Sequence, residues 1–395
     1  MVDLGMSPLC ESYVSPERAH QYEPFYPLVV YVCKKCFLAQ VLDYVSAESI
    51  FSEYAYFSSF SDSWVRHAEK YTEIAITRFG LTTDSFVVEL ASNDGYLLQH
   101  FVKRSIPVLG IEPAANIAVA AESRGVPTLV RFFGVPVAKE LADQGKQADL
   151  LVGNNVLAQV PDLNDFVAGM KLLLKPDGVI TLEFPHLMRL MEENQFDTIY
   201  HEHYSYFSLL TVKELFARHG LRLFDVEEIP THGGSLRVYA CHADCRTHDD
   251  GRSVSELGER EIAHGLRTLS HYTAFGRHVE ETRYKLLTFL IDLKRQGRSI
   301  AGYGAPGKGN TLLNYCGIRS DLISYTVDRN PYKQGKYLPG SRIPIYAPER
   351  IEQTKPDFVF ILPWNLRNEI MAQLSFIRRW GGQFIVPIPE VRVYS

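Results

Sequence analysis

The chain has 395 residues, 46% hydrophobic and 22% charged, a globular composition that disfavours extended disorder and fibrous repeats. At about 100 to 200 residues per domain, two or three domains are expected. The 41 basic residues against 46 acidic ones give a net charge of −5, which argues against a nucleic acid or a membrane surface as partner. No apolar run approaches the roughly 18 to 20 residues that span a bilayer. The first residues lack a signal-peptide pattern, and six cysteines are too few for a disulfide framework, so we expect a cytoplasmic enzyme.

Residues 1–66 are predicted to form a small irregular amino-terminal module. They are rich in Tyr, Ser and Pro, and their clearest strand, residues 28–32, leads directly into Cys33-Lys34-Lys35-Cys36. The spacing of Cys33 and Cys36 is that of half a zinc site, whereas a tetrahedral site needs four ligands. No second C-x-x-C occurs in residues 1–30, so bound zinc is doubtful and two free thiols explain the pair equally well.

After a predicted helix at 64–79, short apolar runs alternate with helical stretches. This alternation is typical of a doubly wound, Rossmann-like α/β domain, to which we assign residues 67–245. Its predicted strands are 86–90, 108–111, 150–152, 179–182, 222–228 and 235–241, with a helix at 211–219. Residues 246–395 begin with a charged helical stretch, 250–296, and continue with strands at 299–304, 323–328 and 358–362. The second pattern predicts another Rossmann-like α/β domain.

The turn after the first strand of the middle domain has the features of an adenosyl-binding loop. Glu89 lies at the end of the strand, and Ala91, Asn93, Asp94 and Gly95 form the turn. A dinucleotide fingerprint would need three glycines, and carboxylates beside a pyrophosphate would repel it. The same carboxylates suit a ligand with an ammonium and a sulfonium, so we predict S-adenosylmethionine as the cofactor.

Two further positions support this cofactor. Glu112 ends the next strand, where an acidic side chain can accept hydrogen bonds from both ribose hydroxyls. Asn154 and Asn155 follow the strand at 150–152, where amides can bind the adenine edge or the methionine portion. The alternative is that Asn93-Asp94-Gly95 serves turn formation alone. The missing glycines and the acidic positions together favour the adenosyl interpretation.

The run Tyr200-His201-Glu202-His203-Tyr204 is a candidate for acid–base chemistry. A histidine titrates near neutral pH and can remove a proton, while a nearby phenol or carboxylate orients it or stabilises the developing charge. Carbon methylation needs such a base, because the carbon next to a ketone must first become an enolate. We therefore predict His203 as the base with Tyr200 and Glu202 beside it, and expect His201 to point away. The alternative is a polar cluster at a domain interface.

A Gly-rich turn, residues 302–310, carries Lys308 between a predicted strand and helix. Such a turn can hold phosphate, although the Walker spacing and its Lys-Ser/Thr ending are absent, which argues against ATP hydrolysis. The diphosphate of a sugar nucleotide fits better, and a turn without a ligand is the alternative.

With these motifs together, the whole chain resembles the sugar C-methyltransferases that act on nucleotide-linked 4-keto-6-deoxyhexoses. The resemblance rests on six segments: Asp3-Leu4-Gly5, the Cys33/Cys36 pair, Glu89 through Gly95, Tyr200 through His203, His232 through Arg237, and Tyr303-Gly304-Ala305. It implies a zinc-binding-type module, a class I methyltransferase domain and a carboxy-terminal domain that helps to hold the sugar nucleotide.

The resemblance also implies roles for single residues. His203 would be the base, with Tyr200 and Glu202 as neighbours and Tyr56 as a phenol reaching in from the amino-terminal module, and C-3 of the sugar the expected methylated carbon. The residues expected near the substrate are Gln159, His232, Arg237, Tyr303 and Lys308.

The sequence departs from the family pattern at three points. The first C-x-x-C expected before Asp3 is absent, as in a truncated module. Gln159 replaces an expected histidine, and Ala91 stands where many adenosyl loops have glycine. Two other functions are considered: a nicotinamide-dependent oxidoreductase using the Gly-rich turn at 302–310, and a non-catalytic assembly protein.

Overall fold

The computed structural model of the protein describes residues 1–51 and 57–395. The predicted phenol Tyr56 lies outside the described residues. The strands in chain order are β1 (Val2–Ser7), β2 (Tyr26–Val32), β3 (Ala39–Val41), β4 (Val87–Leu90), β5 (Val108–Ile111), β6 (Thr128–Leu129), β7 (Ala148–Asn154), β8 (Leu174–Pro185), β9 (Ser205–Tyr206), β10 (Leu221–Ile229), β11 (Ser235–His242), β12 (Ile300–Tyr303), β13 (Thr326–Val327), β14 (Ile345–Tyr346), β15 (Phe358–Ile361), β16 (Gln383–Val386) and β17 (Arg392–Tyr394).

The α-helices are α1 (Ala47–Phe51), α2 (Asp62–Phe79), α3 (Leu98–Val102), α4 (Ala115–Ser123), α5 (Val135–Asp143), α6 (Leu163–Leu173), α7 (Leu187–Glu192), α8 (Leu209–Arg218), α9 (Arg252–His264), α10 (Leu269–Arg295), α11 (Gly307–Cys316), α12 (Glu349–Thr354) and α13 (Arg367–Gln373). Short 3-10 turns lie at Pro16–Arg18, Ser58–Phe60, Leu157–Gln159, Phe196–Thr198, Thr231–Gly233, Trp364–Leu366 and Ser375–Trp380. Within the described ranges, no helix is both long and apolar enough to cross a membrane.

The middle sheet has seven strands in the order β10-β11-β8-β7-β4-β5-β6. Strands β4 to β8 run parallel, whereas β11 pairs antiparallel with both β8 and β10. All four residues of β4 are buried, as expected for a central parallel strand with helices on both faces. The predicted doubly wound α/β domain is therefore confirmed, and its loops at the carboxyl ends of the parallel strands are the expected place for ligands.

The carboxy-terminal sheet also follows the predicted α/β pattern. Its order is β14-β13-β12-β15-β16-β17, and only β17 is antiparallel to its neighbour. Two local predictions differ from the structure. The strand expected at 323–328 is only Thr326–Val327, and the helical stretch expected at 250–296 is two helices, since Gly265 (φ 103°) forms the left-handed cap that ends α9.

The four-stranded amino-terminal sheet joins all three parts of the chain. Its fourth strand is β9, which follows the Tyr200–His203 run and pairs with β3. Helices α10 and α11 pack against β1, and Leu286, Leu290 and Leu293 of α10 are buried. The candidate base loop therefore leads directly into a strand of the amino-terminal sheet. Helix α9, although it follows residue 245, packs on β10 of the middle sheet. The domain boundaries at residues 66 and 245 stay predictions.

Candidate active site

The adenosyl loop leaves the end of β4 in an unusual backbone conformation. Ala91, Asn93 and Gly95 have φ values of 53°, 48° and 75°, all in the left-handed region. A Cβ on Gly95 would lie 3.0 Å from Val126 and 3.3 Å from Ala121, so the helix packing as well as the backbone requires glycine there. Ala91 adopts this conformation with a side chain, which explains why glycine suits the position.

The loop encloses three buried carboxyl groups. Glu112 accepts hydrogen bonds from the backbone N–H groups of Asn93 and Ala114, both at 3.0 Å. Burial raises the pKa of Glu112, and it raises that of Glu89 well above its usual range, with the charges of Glu112 and Asp94 adding to the shift and Tyr96 opposing it. Within residues 1–51 and 57–395, no group donates a well-formed hydrogen bond to the oxygens of Glu89. A cationic ligand would stabilise these carboxylates.

Asn154, at the end of β7, is the second polar group of interest. Its side chain is buried, and none of the residues that the structure describes forms a hydrogen bond with its amide nitrogen or oxygen. Unpaired buried polar atoms are costly unless a ligand satisfies them. With the carboxyl groups of Glu89 and Glu112, Asn154 therefore fits a cofactor that carries ammonium, sulfonium, hydroxyl and adenine groups.

A segment that precedes α2 covers the same loop. The backbone N–H of Ser58 donates to Asn93 at 2.9 Å, and the Ser59 hydroxyl donates to Asp94 at 2.5 Å. Arg124 lies 3.2 Å from Oδ2 of Asp94 and also donates to the Ser59 hydroxyl at 2.8 Å. The conformations of Asn93 and Asp94 thus depend on residues from two other segments, which the loop sequence does not indicate.

His203 is held by a backbone group. Its Nδ1 lies 3.2 Å from the carbonyl oxygen of Thr198, and the ring centroid lies 4.1 Å from that of Tyr200. Since a carbonyl can only accept, Nδ1 carries the proton and the lone pair of the neutral imidazole is on Nε2. Burial lowers the pKa of His203 to about 4, which keeps the ring neutral at physiological pH. The arrangement can accept a proton at Nε2.

The neighbours of His203 in the run face different directions. Tyr200 remains a phenol, because burial and the nearby Cys10 and Glu202 raise its pKa well above the usual range. Glu202 accepts a hydrogen bond from the Cys10 thiol across 3.6 Å. His201 lies against the amino-terminal sheet, with Nε2 3.2 Å from the carbonyl oxygen of Pro27.

Two loops bring His232 to the end of β7. Asn155 Nδ2 lies 3.1 Å from Nε2 of His232, and the indole of Trp64 meets that ring edge-on at 5.1 Å. Burial, together with the charge of Lys308, lowers the pKa of His232 to about 4. The charge of the same lysine also contributes to the lowered pKa of His203.

The remaining predicted residues are less closely associated with this group. Arg237 donates two hydrogen bonds to Glu183, at 2.8 and 2.6 Å, and Tyr303 donates to Gln373 at 3.2 Å. Gln159 ends a partly exposed 3-10 turn after β7. Cys33 and Cys36 form no disulfide bond with a described cysteine, and their role in metal binding stays a prediction. In the ranges 1–51 and 57–395, no group of three or more His, Cys, Asp or Glu side chains is arranged to hold a metal ion.

Sequence reasoning missed several residues that shape the site. These residues are Ser59, Trp64, Arg124, Asp197, Thr198, Trp364 and Asn365. None lies in a recognisable motif. One pattern could have indicated Trp64. In Trp64-Val65-Arg66-His67, an aromatic residue and a histidine lie one helical turn apart, just before the adenosyl-binding domain.

Matches to three family models cover most of the chain. A model described as "Putative zinc binding domain" matches residues 1–51, a methyltransferase domain matches 64–226, and the C-methyltransferase C-terminal domain matches 230–389. With the sheet order and the acidic adenosyl loop, these matches define a class I methyltransferase that depends on S-adenosylmethionine.

Individual relatives narrow the class. The chain is 38% identical to C-methyltransferase NovU of Streptomyces niveus over 395 residues, which are 100% of this chain and 94% of the relative. It is 27% identical over 95 residues to a ubiquinone biosynthesis O-methyltransferase of Bartonella quintana (strain Toulouse), 24% of this chain and 38% of that one. The glycopeptide N-methyltransferase MtfA complexed with S-adenosylmethionine is a structural neighbour at 13% identity and TM-score 0.36, covering 48% of this chain and 96% of that one.

The chain belongs to the C-methyltransferase family. It is an S-adenosylmethionine-dependent C-methyltransferase, and this assignment decides against the oxidoreductase and assembly-protein alternatives.

Proposed function

We propose that this enzyme methylates the carbon next to the ketone of a nucleotide-activated 4-keto-6-deoxyhexose, with C-3 the favoured position and His203 as the base. The observation that carries the proposal is the neutral imidazole of His203, whose Nδ1 is bonded to the carbonyl of Thr198 at 3.2 Å, so that Nε2 is free to accept a proton. A carbon acid needs such a base, whereas methylation of an oxygen or nitrogen can proceed without forming an enolate.

In the proposed reaction, His203 Nε2 takes the proton from the α carbon. The electron pair of the broken C–H bond forms a C=C bond, and the carbonyl electrons move to the oxygen to give an enolate. When bound, S-adenosylmethionine supplies an electrophilic methyl group to that carbon and leaves as S-adenosylhomocysteine. Tyr200, which stays protonated, is positioned 4.1 Å ring to ring from His203 to donate a hydrogen bond to substrate.

The cofactor roles are part of the same proposal. Glu112 would accept the ribose hydroxyls, Asn154 would bind the adenine or methionine portion, and Glu89 and Asp94 would balance the positive charge of the ligand. Asn155 links this region to the base loop through its contact with His232 at 3.1 Å. The contact supports a substrate position between the cofactor and His203. The roles of Tyr56, Glu202, Gln159, Arg237 and Tyr303 stay predictions.

The test is methyl transfer by the purified chain with S-adenosylmethionine and dTDP-, UDP- and GDP-4-keto-6-deoxyglucose, followed by mass spectrometry and NMR of the product. One active nucleotide sugar and a new methyl group at C-3 are expected. His203→Asn keeps an N–H that can donate to Thr198 but removes the base, so turnover should fall about 10²- to 10⁴-fold while cofactor affinity stays unchanged.

The matched control is His201→Asn, two residues away and hydrogen-bonded to Pro27 instead. It should keep nearly full activity. Undiminished turnover in His203→Asn would refute the base assignment, and no transfer to any 4-keto sugar nucleotide would refute the substrate class. Methylation at C-5, the other carbon next to the C-4 ketone, would correct the position only.

A further inference from the structure

The side chain of Lys308 points away from the Gly-rich turn that carries it. Its Nζ donates to Oδ1 of Asn365 at 2.9 Å and lies 4.7 Å from the centre of the Trp364 ring. The turn itself is occupied by another group, since the backbone N–H of Ala305 donates to Asp328 at 2.7 Å. A carboxylate at the turn disfavours phosphate there, so the phosphate-binding prediction for Lys308 lacks support from the turn.

The surroundings of Lys308 connect it to the base loop instead. Trp364 donates its indole N–H to Asp197 at 2.6 Å, and the next residue, Thr198, holds the ring of His203. On the same helix as Lys308, the hydroxyl of Thr311 donates to the carbonyl of Ile199 at 2.9 Å. The loop is therefore held on both sides of Thr198, by Trp364 at Asp197 and by α11 at Ile199.

The position of Lys308 in its helix is unfavourable for a cation. Lys308 is the second residue of α11, where the positive end of the helix dipole disfavours a cation. It is partly buried, and burial lowers its pKa while Asp197 opposes the shift. Asn365 engages one of its three N–H donors, and among the described residues no other group accepts a hydrogen bond from the ammonium. The Lys308 ammonium still has N–H groups that can donate, so it can stabilise a negative charge that forms during a reaction.

We propose that Lys308 is a further catalytic residue, whose ammonium donates a hydrogen bond to the carbonyl oxygen of the substrate as it becomes the enolate oxygen. This inference rests on the proposed function, because the enolate is the intermediate formed by His203. The proton goes from carbon to Nε2 of His203, the electron pair ends on the oxygen, and Lys308 stays protonated while it shares one proton in the hydrogen bond. Asn365 and Trp364 act as positioning residues for the ammonium.

The weak basicity of His203 explains why the reaction needs a second catalytic group such as Lys308. A histidine whose pKa is lowered to about 4 is a poor match for the proton of a carbon acid. The enolate must then be stabilised at its oxygen, and one preorganised donor of this kind contributes about 10²- to 10³-fold in rate. The positive charge of Lys308 offsets the charge on oxygen, and it adds to the burial that keeps His203 neutral.

The test compares Lys308→Met, which keeps length and packing, with Lys308→Arg and with Lys139→Met, an exposed lysine of α5. Two rates are measured with the 4-keto-6-deoxyglucose nucleotide that the wild type accepts: methyl transfer, and exchange of the α hydrogen for deuterium in D₂O with S-adenosylhomocysteine present. Lys308→Met should lose about 10²- to 10³-fold in both, with KM little changed, Lys308→Arg should recover part of the loss, and Lys139→Met should match the wild type.

The rival phosphate role predicts a different result. If Lys308 bound the diphosphate, Lys308→Met would weaken binding of the free nucleoside diphosphate and raise KM, while kcat and deuterium exchange would be kept; that result would overturn the proposal. Equal rates in Lys308→Met and the wild type would overturn it as well. Failure of the wild type to methylate or exchange any 4-keto sugar nucleotide would instead count against the proposed function.

Discussion

The indole N–H of Trp364 donates a hydrogen bond to Oδ2 of Asp197 across 2.6 Å. This contact joins the carboxy-terminal domain to the 3-10 turn whose last residue, Thr198, holds the ring of His203. Both partners are buried, and burial raises the pKa of Asp197 to about 6. The orientation of the proposed base therefore depends on a domain interface.

Trp364→Phe should reduce both stability and turnover. The buried carboxyl of Asp197 would lose its donor, a loss of about 1 to 3 kcal/mol in the free energy of unfolding. Turnover should fall further than stability alone explains, because the turn that orients His203 becomes less fixed. Urea unfolding and methyl-transfer kinetics at a temperature where the variant stays folded would separate the two effects.

Trp380→Phe is the control for this change. Its indole also donates one hydrogen bond, to the carbonyl of Pro356 at 3.0 Å, but it belongs to a 3-10 turn near the end of the chain. It should lose stability without a change in kcat. If Trp364→Phe keeps full activity, the interface does not control the base.

The sheets could be predicted from sequence because their strands carry recognisable apolar patterns: β11 inside the middle sheet is buried along nearly its whole length, and β10 at the edge alternates buried with more exposed residues. The strand predicted at 235–241 is Ser235–His242, and that predicted at 222–228 is Leu221–Ile229. Such runs of apolar residues are determined locally. The break at Gly265 was missed, since a single glycine inside a charged helical pattern can also be tolerated within a helix.

The site was predictable only where its residues follow one another in sequence. Asn93-Asp94-Gly95 and Tyr200 through His203 are local motifs, whereas Thr198 and Trp364 act through tertiary contacts. Arg237 illustrates the limit. It lies directly opposite Glu183 in the register of β11 and β8, so its guanidinium pairs with that carboxylate, and a sequence does not specify register between strands so far apart.

Glu112→Gln should weaken S-adenosylmethionine binding. The carboxylate accepts two backbone N–H bonds and, in the proposed complex, the ribose hydroxyls. A neutral amide has one oxygen acceptor, so Kd should rise about 10- to 100-fold, corresponding to about 1.4 to 2.7 kcal/mol. Calorimetric titration measures the effect. Glu122→Gln, on the exposed face of α4, is the control and should bind as the wild type does; equal affinities in the two variants would remove Glu112 from the cofactor site.

His203 and His232 make stability depend on pH. His203 and His232 have pKa values lowered to about 4, so the unfolded chain takes up their protons first as pH falls. Each therefore contributes stability at neutral pH that is lost between about pH 6.5 and 4, up to about 3 kcal/mol per residue. Asp197, with a pKa of about 6, acts in the opposite direction over the same range.

Comparing the pH dependence of stability in the wild type and in His203→Asn isolates the contribution of His203. Around His203 the groups that face it are the phenols of Tyr200 and Tyr206 and the charges of His232 and Lys308. The free energy of unfolding should fall more steeply from pH 6.5 to 4 in the wild type than in the variant. Parallel pH profiles would show that folding does not lower the pKa of His203.

Ala91→Gly should stabilise the protein. Ala91 has φ 53°, a conformation that costs a residue with a Cβ about 1 to 2 kcal/mol. Glycine removes that strain but adds flexibility to the unfolded chain, which offsets about 0.5 to 1 kcal/mol, so a gain of up to about 1 kcal/mol remains. The reciprocal variant is Gly80→Ala at the end of α2, where φ is 60° and no atom lies within 4 Å of an added Cβ. It should lose about 1 kcal/mol through backbone strain alone. Thermal unfolding of both variants measures the pair, and a lower stability in Ala91→Gly would mean that contacts of the Ala91 methyl outweigh the strain of the adenosyl loop.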